Sequence, residues 1–245
     1  MAIDRHPYLN EPDGEEPLWR YMDLAKFTSL LLTKKLWLSS AEVLAKEDPY
    51  EVTISSSNVA EFAHEQMAEI VPDFPEKVLK LYEQVRPYLF LNCWHAAKEE
   101  SVAMWKTYAS YDAGIAIVSS GRRMRTALRR SSESLFLGRV EYVDYQQDVI
   151  DPRNLFGPAL KKRHSFSYER EVRLIHLFGM GRAEGELPPP PAGFGIRCDL
   201  SALTERVEVS PAAEDWFVEN VRDIAKKFGL RAPVVKSTLL SPRAK

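Results

Sequence analysis

Residues 167–178 read SYEREVRLIHLF, and this stretch carries both a strand pattern and two closely spaced glutamates. Their β-branched and apolar content predicts a strand, although alternation alone does not exclude a helix. Side chains alternate between the two faces of a strand, so Glu169, Glu171 and Arg173 are expected to share one face. Two carboxylates placed in this way can stabilise a cationic transition state, and the same charges can also form ion pairs on a solvated face. Glu169 and Glu171 are therefore candidate catalytic residues.

Helical and strand-like segments alternate on both sides of this stretch without the regular spacing of βαβ units. Helices are predicted at residues 26–35, 58–71, 75–91, 101–111, 121–130 and 213–228. Further strands are predicted at residues 36–39, 90–94, 115–118, 139–145, 195–199, 205–211 and 234–240. This order favours an α+β fold over a doubly wound sheet, with one mixed or antiparallel sheet flanked by helices.

One domain is predicted to span residues 18–245, after a polar lead-in at residues 1–17. With 245 residues, 45% of them hydrophobic, the chain has enough apolar material for a sizeable core. Residues 179–195 contain four consecutive prolines and five glycines, so they are predicted to form a surface loop within the domain.

Composition narrows the class of protein. The net charge of −2 points to neither a strongly basic nucleic-acid protein nor an acidic tail. The two cysteines, Cys93 and Cys198, lack metal-ligand spacing and are expected to be free thiols. No signal-peptide pattern and no apolar run of the ~18 residues needed to span a membrane is present, so a cytoplasmic location is predicted. Dinucleotide-binding and P-loop glycine motifs are also missing, and no metal site is predicted.

Three further motifs precede the strand at residues 167–178. Residues 19–21 read WRY, residues 48–51 read DPYE, and MWKTY at residues 104–108 leads to Gly114. Arg20 is suited to holding a diphosphate through paired hydrogen bonds, or to a place at the surface. Trp105 and Tyr108 lie one helical turn apart, so they are suited either to stacking on a flat nicotinamide or adenine ring or to packing in the core.

Taken in order, WRY, DPYE, NCW around Cys93, MWKTY followed by glycine, and YEREVRL resemble the motifs of the DUF2971 family, a group defined as a domain of unknown function. The terminal stretch IRCDLSALTERVEVSPAAEDW is similar to the ending of that family. The resemblance covers residues 18–240. Because the family name states no activity, the chemistry has to be argued from the residues.

An early basic strand, a central aromatic element and a late Glu-x-Glu strand also resemble the mono-ADP-ribosyltransferases. That resemblance implies NAD as co-substrate, Arg20 and Tyr21 as NAD contacts, and Trp105 and Tyr108 around the nicotinamide. It implies Glu171 as the catalytic glutamate and Glu169 as its partner, which orients the acceptor. The activity implied is an intracellular ADP-ribosyltransferase acting on a nucleic-acid or protein acceptor, as a toxin or phage-defence effector does.

A basic stripe indicates a different function. On a helix, Arg122, Arg125 and Arg129 lie on one face, where they can contact phosphates or simply face solvent. A non-catalytic module that binds phosphate, nucleic acid or protein is therefore the alternative hypothesis. A metal-dependent nuclease using Asp48, Glu51, Glu169 and Glu171 is less favoured, because no lysine follows the acidic pair.

Overall fold

The computed structural model describes residues 3–54, 73–148, 150–151, 154–179 and 188–241. The helix predicted at residues 58–71 and residues 180–187 of the predicted loop lie outside the described residues. The described helices are α1 (Leu24–Thr33), α2 (Ala41–Leu44), α3 (Phe74–Val85), α4 (Val102–Tyr108), α5 (Gly121–Leu128), α6 (Leu200–Leu203) and α7 (Asp215–Lys227). Short 3-10 helices cover Arg86–Tyr88, Pro158–Leu160 and His164–Glu169.

Ten of the described strands form one mixed sheet, and two more form a separate parallel pair. The strands are β1 (Ile3–Asp4), β2 (Pro17–Met22), β3 (Lys35–Ser40), β4 (Leu89–Ala96), β5 (Ile115–Ser120), β6 (Leu135–Arg139), β7 (Glu141–Val143), β8 (Lys161–Arg163), β9 (Glu171–Leu177), β10 (Gly193–Arg197), β11 (Arg206–Val209) and β12 (Val234–Lys236). The main order is β1-β6-β9-β4-β2-β5-β11-β12, and β3 joins β4 to β10. The predicted α+β domain with a mixed sheet flanked by helices is therefore confirmed.

The sheet forks at β4. Near its start β4 pairs with β3, through Phe90 and Leu91, and near its end it pairs with β2, through His95 and Ala96. Between these two contacts, β2 and β3 separate. The backbone of β4 from Asn92 to Trp94 is therefore flanked by a strand only on its β9 side. A fork of this kind leaves polar backbone groups at the edge of a sheet that need other partners.

Helices and a loop cover the sheet unevenly. One face packs against apolar side chains of α1, α5 and α7, such as Phe27, Met124 and Val221, and forms the largest core cluster. On the other face, two smaller clusters lie apart: one around Trp105 of α4 and one around Leu160 of the loop before β8. Charged side chains of β9 project between these two clusters, at the fork.

The strand predicted at residues 167–178 begins only at Glu171. His164–Glu169 is a 3-10 helix, and Arg170 adopts the left-handed region with φ of 41°. The prediction that Glu169 lies on the strand with Glu171 is therefore wrong. The physical reason is local: the backbone N–H of Arg170 bonds to the carbonyl of Ser167, which completes a turn before the β4–β9 ladder begins.

Other boundaries also differ from the predicted ones. Residues 193–195 of the predicted loop belong to β10, which pairs with β3. Within the lead-in, Ile3–Asp4 pairs with β6 and Leu9 is buried, so these residues contribute to the core.

Gly193, in the β3–β10 pair, leaves no room for a side chain against the backbone of β3. A Cβ atom there would lie 2.5 Å from the carbonyl oxygen of Leu38 and 2.8 Å from the ring of Trp37. We expect Gly193→Ala to lower the free energy of unfolding by about 1–3 kcal/mol, the usual cost of overpacking. The measurement is urea unfolding monitored by fluorescence.

Gly14→Ala is the matched control, since a Cβ atom at Gly14 meets nothing within 4 Å. It should change the free energy of unfolding by less than about 0.5 kcal/mol. Equal stability of the two variants would contradict the close packing of β3 on β10.

Candidate active site

A cleft of about 540 Å³ opens at the fork in the sheet. Its walls come from β2, β3, β4 and α4, and its floor from β8, β9 and the 3-10 helix before β9. Its lining includes many charged and aromatic side chains, among them Arg20, Trp37, Tyr108, Lys162, Glu169 and Glu171. A cavity of this volume is typical of small-molecule sites.

The floor of the cleft is a pair of buried carboxylates joined by one lysine. The Nζ of Lys162 donates to Glu169 and lies 3.3 Å from Oε2 of Glu171. The hydroxyl of Tyr108 donates to the other oxygen of Glu169. The two glutamates predicted from the sequence therefore do meet, although a turn and not a shared strand face brings them together.

Arg173 holds Glu171 from beneath. The guanidinium is fully buried, and its Nε and Nη2 donate to the two oxygens of Glu171 at 2.9 and 3.0 Å. Its remaining N–H groups donate to both oxygens of Glu51 and to the carbonyl of Ala159. All five donors of a guanidinium are thus used. Glu171 is fixed in position by a bidentate ion pair, the strongest geometry available to a carboxylate.

The two glutamates have opposite electrostatic character. Burial alone would raise the pKa of Glu171, but Arg173 and Lys162 outweigh it and lower the pKa to about 2. Burial raises the pKa of Glu169 above its usual value, even though Lys162 acts against the shift. At neutral pH Glu171 is therefore a stable anion, while Glu169 is the carboxyl that takes up a proton more readily.

One negative charge remains on the floor. Three buried carboxylates, those of Glu51, Glu169 and Glu171, face the two cations Lys162 and Arg173. Charge left over in a buried site acts strongly on a ligand, because little water screens it.

Arg20 supplies the opposite charge at the fork itself. Its Nη1 donates to the carbonyl of Cys93 at 2.9 Å, a backbone group between the β3 and β2 contacts of β4. Among the described residues no carboxylate pairs with Arg20, so its charge is available to a ligand. Burial lowers the pKa of Arg20, yet an arginine remains protonated at neutral pH. The cleft therefore combines an anionic floor with a cationic wall.

Of the predicted aromatic NAD contacts, Tyr21 and Tyr108 line the cleft and Trp105 does not. The indole of Trp105 is fully buried, with its ring centroid 4.9 Å from that of Tyr21 and its Nε1 donating to Glu100 at 2.8 Å. Trp105 cannot stack on a ligand in this position, so that prediction is wrong. The cause is the packing of α4, which turns the indole toward the sheet and leaves Tyr108 at the cleft.

The sequence predictions missed several residues of the cleft, among them Trp37, Lys162 and His95. Trp37, 55% exposed, is the aromatic side chain at the rim of the cleft. The alternation of side chains along β3 could have indicated Trp37, because Leu36 and Leu38 are buried and Trp37 points to the other face. Lys162 is the middle residue of the sequence KKR at residues 161–163, where charge alone gives no sign of burial, yet it is buried.

His95 is another missed residue. Its Nδ1 lies 2.6 Å from the carbonyl of Glu169, and a carbonyl only accepts, so Nδ1 carries the proton of this bond. Burial lowers the pKa of His95, which favours the neutral ring. His95 thus orients the turn that carries Glu169. No sequence signal marked it, since it depends on a register between β4 and β9.

The basic stripe is largely neutralised within the protein. Arg122 pairs with Glu15 at 2.8 Å, and Arg125 pairs with Glu11 at 2.5 Å. Both carboxylates belong to the segment before β2, which packs along α5. Phosphate contact by Arg122 and Arg125 stays a prediction, and it would compete with these glutamates; only Arg129 of the three has no ion pair within the described part of the chain.

Metal ligands and membrane spans were sought among the described ranges of the chain. Within these ranges, no three or more His, Cys, Asp or Glu side chains are grouped so as to hold a metal ion. No described helix combines the length and apolar character that a membrane span requires. The carboxylates suggested for a nuclease are engaged instead by cations: Asp48 by Arg163 at 2.7 Å, and Glu51 by Arg173.

No family model matches the chain, so none supports the resemblance to DUF2971, and no curated protein matches it significantly. Three solved structures of DarT from Thermus sp. 2.9 are similar in fold. The complex with carba-NAD+ has 13% identity and a TM-score of 0.39, covering 92% of this chain and 96% of that one. The NAD+ complex has 14% identity and a TM-score of 0.40, covering 93% and 98%.

The complex of the same DarT with ADP-ribosylated ssDNA has 13% identity and a TM-score of 0.40, covering 93% of this chain and 95% of that one. At this identity and TM-score the likeness is one of overall chain path. The function of this protein has to be argued from its own site.

The ion pairs of Glu171 predict a specific pH dependence of stability. Because the folded pKa of about 2 lies below the usual 4.5, the pairs stabilise the fold above pH 4.5 and weaken as pH falls toward 2. We expect the difference in free energy of unfolding between wild type and Glu171→Gln to shrink by about 2 kcal/mol between pH 5 and pH 3. Urea unfolding at each pH measures it.

Glu141→Gln serves as the control, because Glu141 pairs with Lys161 at the surface and is 57% exposed. Its difference from wild type should stay within about 0.5 kcal/mol over the same range. A difference for Glu171→Gln that did not vary with pH would show that Glu171 is not held as an ion-paired anion.

Proposed function

We propose that this protein is an ADP-ribosyltransferase-like enzyme that cleaves NAD at its nicotinamide bond and transfers ADP-ribose to a macromolecular acceptor. The observation that carries the proposal is the distribution of charge in the cleft. An anionic floor around Glu169 and Glu171 faces an unpaired guanidinium, that of Arg20, within one cavity. The fold supports the proposal only by placing these groups together.

NAD matches this distribution because its two ends differ in charge. The nicotinamide ring is a cation, and a cationic ring is stabilised beside the uncompensated carboxylate of the floor. The diphosphate is an anion, which a guanidinium binds through two parallel hydrogen bonds. Arg20 therefore holds the diphosphate, and the nicotinamide ribose lies over Glu171. Trp37 offers an aromatic face at the rim for a flat ring.

Glu171 acts on the departing nicotinamide. In the proposed step the bond between C1′ of the ribose and the pyridinium nitrogen breaks, and its electron pair goes to the nitrogen, which leaves as neutral nicotinamide. Positive charge then develops on the ribose as an oxocarbenium ion. Glu171 is an anion at neutral pH and is held rigidly by Arg173, so it stabilises that charge without having to reorganise.

Glu169 acts on the acceptor. Its pKa is raised by burial, so it can accept a proton at neutral pH more readily than Glu171 can. When the acceptor's nucleophile attacks C1′, Glu169 takes the proton of that nucleophile. Tyr108 and Lys162 hold the carboxyl in place through its two oxygens.

The acceptor is proposed to be a macromolecule, nucleic acid or protein, because the rim of the cleft is open and carries the exposed ring of Trp37. An intracellular toxin or a phage-defence effector is the role that we propose for such an activity. Incubation with radiolabelled NAD and either single-stranded oligonucleotide or cell protein tests the acceptor. Label is expected on one class in a Glu169-dependent way, and label on neither would contradict transfer.

Nicotinamide release tests the reaction itself. Glu171→Gln keeps the shape of the side chain and removes its charge, so we expect kcat for NAD cleavage to fall about 10²–10³-fold. Glu169→Gln should lower transfer to the acceptor by about 10²–10⁴-fold and affect hydrolysis by water less. Glu219→Gln, an exposed residue paired with Arg222, is the matched control and should keep wild-type turnover.

The role of Arg20 is tested by affinity. We expect Arg20→Met to raise KM for NAD about 10- to 100-fold, since a hydrogen bond to a charged group contributes ~1.5–3 kcal/mol. Arg222→Met on the exposed face of α7 is the control.

Turnover by Glu171→Gln at the wild-type rate, with the variant folded, would refute the assignment of the catalytic residue.

A further inference from the structure

A second cavity, also of about 540 Å³, lies at the C-terminal end of α5, where the chain turns toward β6 and meets β10. Its lining includes three arginines, Arg129, Arg130 and Arg197, and it shares no residue with the cleft at the fork. We propose that this cavity binds the phosphate group of a nucleotide, supplied either by a free mononucleotide or by a nucleic-acid backbone. The proposal does not depend on cleavage of NAD.

These three arginines, which follow α5 or end β10, differ from the arginines of α5 in lacking counter-charges. Arg122, Arg123 and Arg125 each meet a glutamate, at 2.8, 3.7 and 2.5 Å. For Arg129, Arg130 and Arg197, no ion pair is found in the described part of the protein. The arginine–glutamate ion pairs along α5 therefore end where the lining of the second cavity begins.

Two carboxylates, those of Asp199 and Glu133, also line this cavity. Oδ1 of Asp199 accepts from the backbone N–H groups of Ser201 and Ala202, at 3.0 and 3.2 Å, as the N-cap of α6. Oε2 of Glu133 lies 3.5 Å from Nε2 of His176. Three cations therefore line the cavity with two carboxylates, so one positive charge is in excess.

The end of α5 would repel an anion if its carbonyls pointed freely into the cavity, because a helix C-terminus is negative. Here those carbonyls have partners. The carbonyls of Thr126, Ala127 and Leu128 accept from the backbone N–H groups of Arg129, Asp199 and Ser131. The usual obstacle to anion binding at a C-terminus is thereby reduced.

The remaining groups fit a phosphate ester. Guanidinium groups bind phosphate oxygens in pairs, and several can surround one phosphate. The hydroxyl oxygen of Ser131 accepts from the N–H of Glu133 at 3.1 Å, which leaves its own proton to donate. Phe194, half-buried and edge-on to Phe90 at 4.9 Å, supplies an apolar wall beside the cations. A charged rim next to an aromatic wall suits a nucleotide better than inorganic phosphate.

Binding of two probes tests the proposal: AMP by isothermal titration, and a fluorescein-labelled single-stranded 12-mer by anisotropy over a salt series. The test variant is the double substitution Arg129→Gln and Arg197→Gln. The control is the double substitution Arg122→Gln and Arg222→Gln, which removes two exposed arginines that have glutamate partners. Thermal unfolding confirms that both variants are folded.

We expect at least one probe to bind wild type and the control with similar affinity and the test variant at least tenfold more weakly. Loss of AMP binding identifies a mononucleotide site. Loss confined to the 12-mer, with a smaller slope of affinity against salt, identifies a nucleic-acid backbone site. Binding of neither probe to wild type, or equal losses in both double variants, would overturn the proposal.

Discussion

The guanidinium of Arg173 is the group on which the site depends. A charge buried this completely is tolerated only if every donor has a partner, because an unpaired buried charge costs several kcal/mol. Arg173 meets that condition through Glu51, Glu171 and the carbonyl of Ala159, which come from three separate parts of the chain. Its requirements therefore draw the DPYE turn, β9 and the loop before β8 together.

The fork in the sheet also leaves polar groups that need hydrogen-bond partners. Where β2 and β3 separate along β4, the exposed backbone is completed by side chains: Arg20 donates to Cys93, and Asn92 donates to the carbonyl of Trp37. The cleft thus exists because two strands leave β4 at different points. The cleft carries positive charge on one side, from Arg20, and negative charge on the other, from the Glu169–Lys162–Glu171 group. A fixed arrangement of charge is what catalysis by electrostatic stabilisation needs.

Sequence patterns predicted the fold class and the pair Glu169 and Glu171, because helix and strand periods and a local Glu-x-Glu motif are visible in one chain. They did not predict how the pair meets, since that depends on a left-handed Arg170 and on Lys162, which comes from a separate strand. The sequence patterns also did not predict the long-range ion pairs of the basic stripe, in which Glu11 pairs with Arg125 and Glu15 with Arg122. Burial, finally, separated Trp105 from Tyr108, which helical spacing alone placed together.

The most direct test of the account is a crystal structure with a non-cleavable NAD analogue at saturating concentration. We predict that the analogue occupies the cleft at the fork, with its diphosphate within ~3 Å of the guanidinium of Arg20. Its nicotinamide ribose should lie against the carboxylates of Glu171 and Glu169. A cleft that stays empty at saturation, or an analogue bound with its diphosphate over the glutamates, would contradict the assignment of anionic floor and cationic wall.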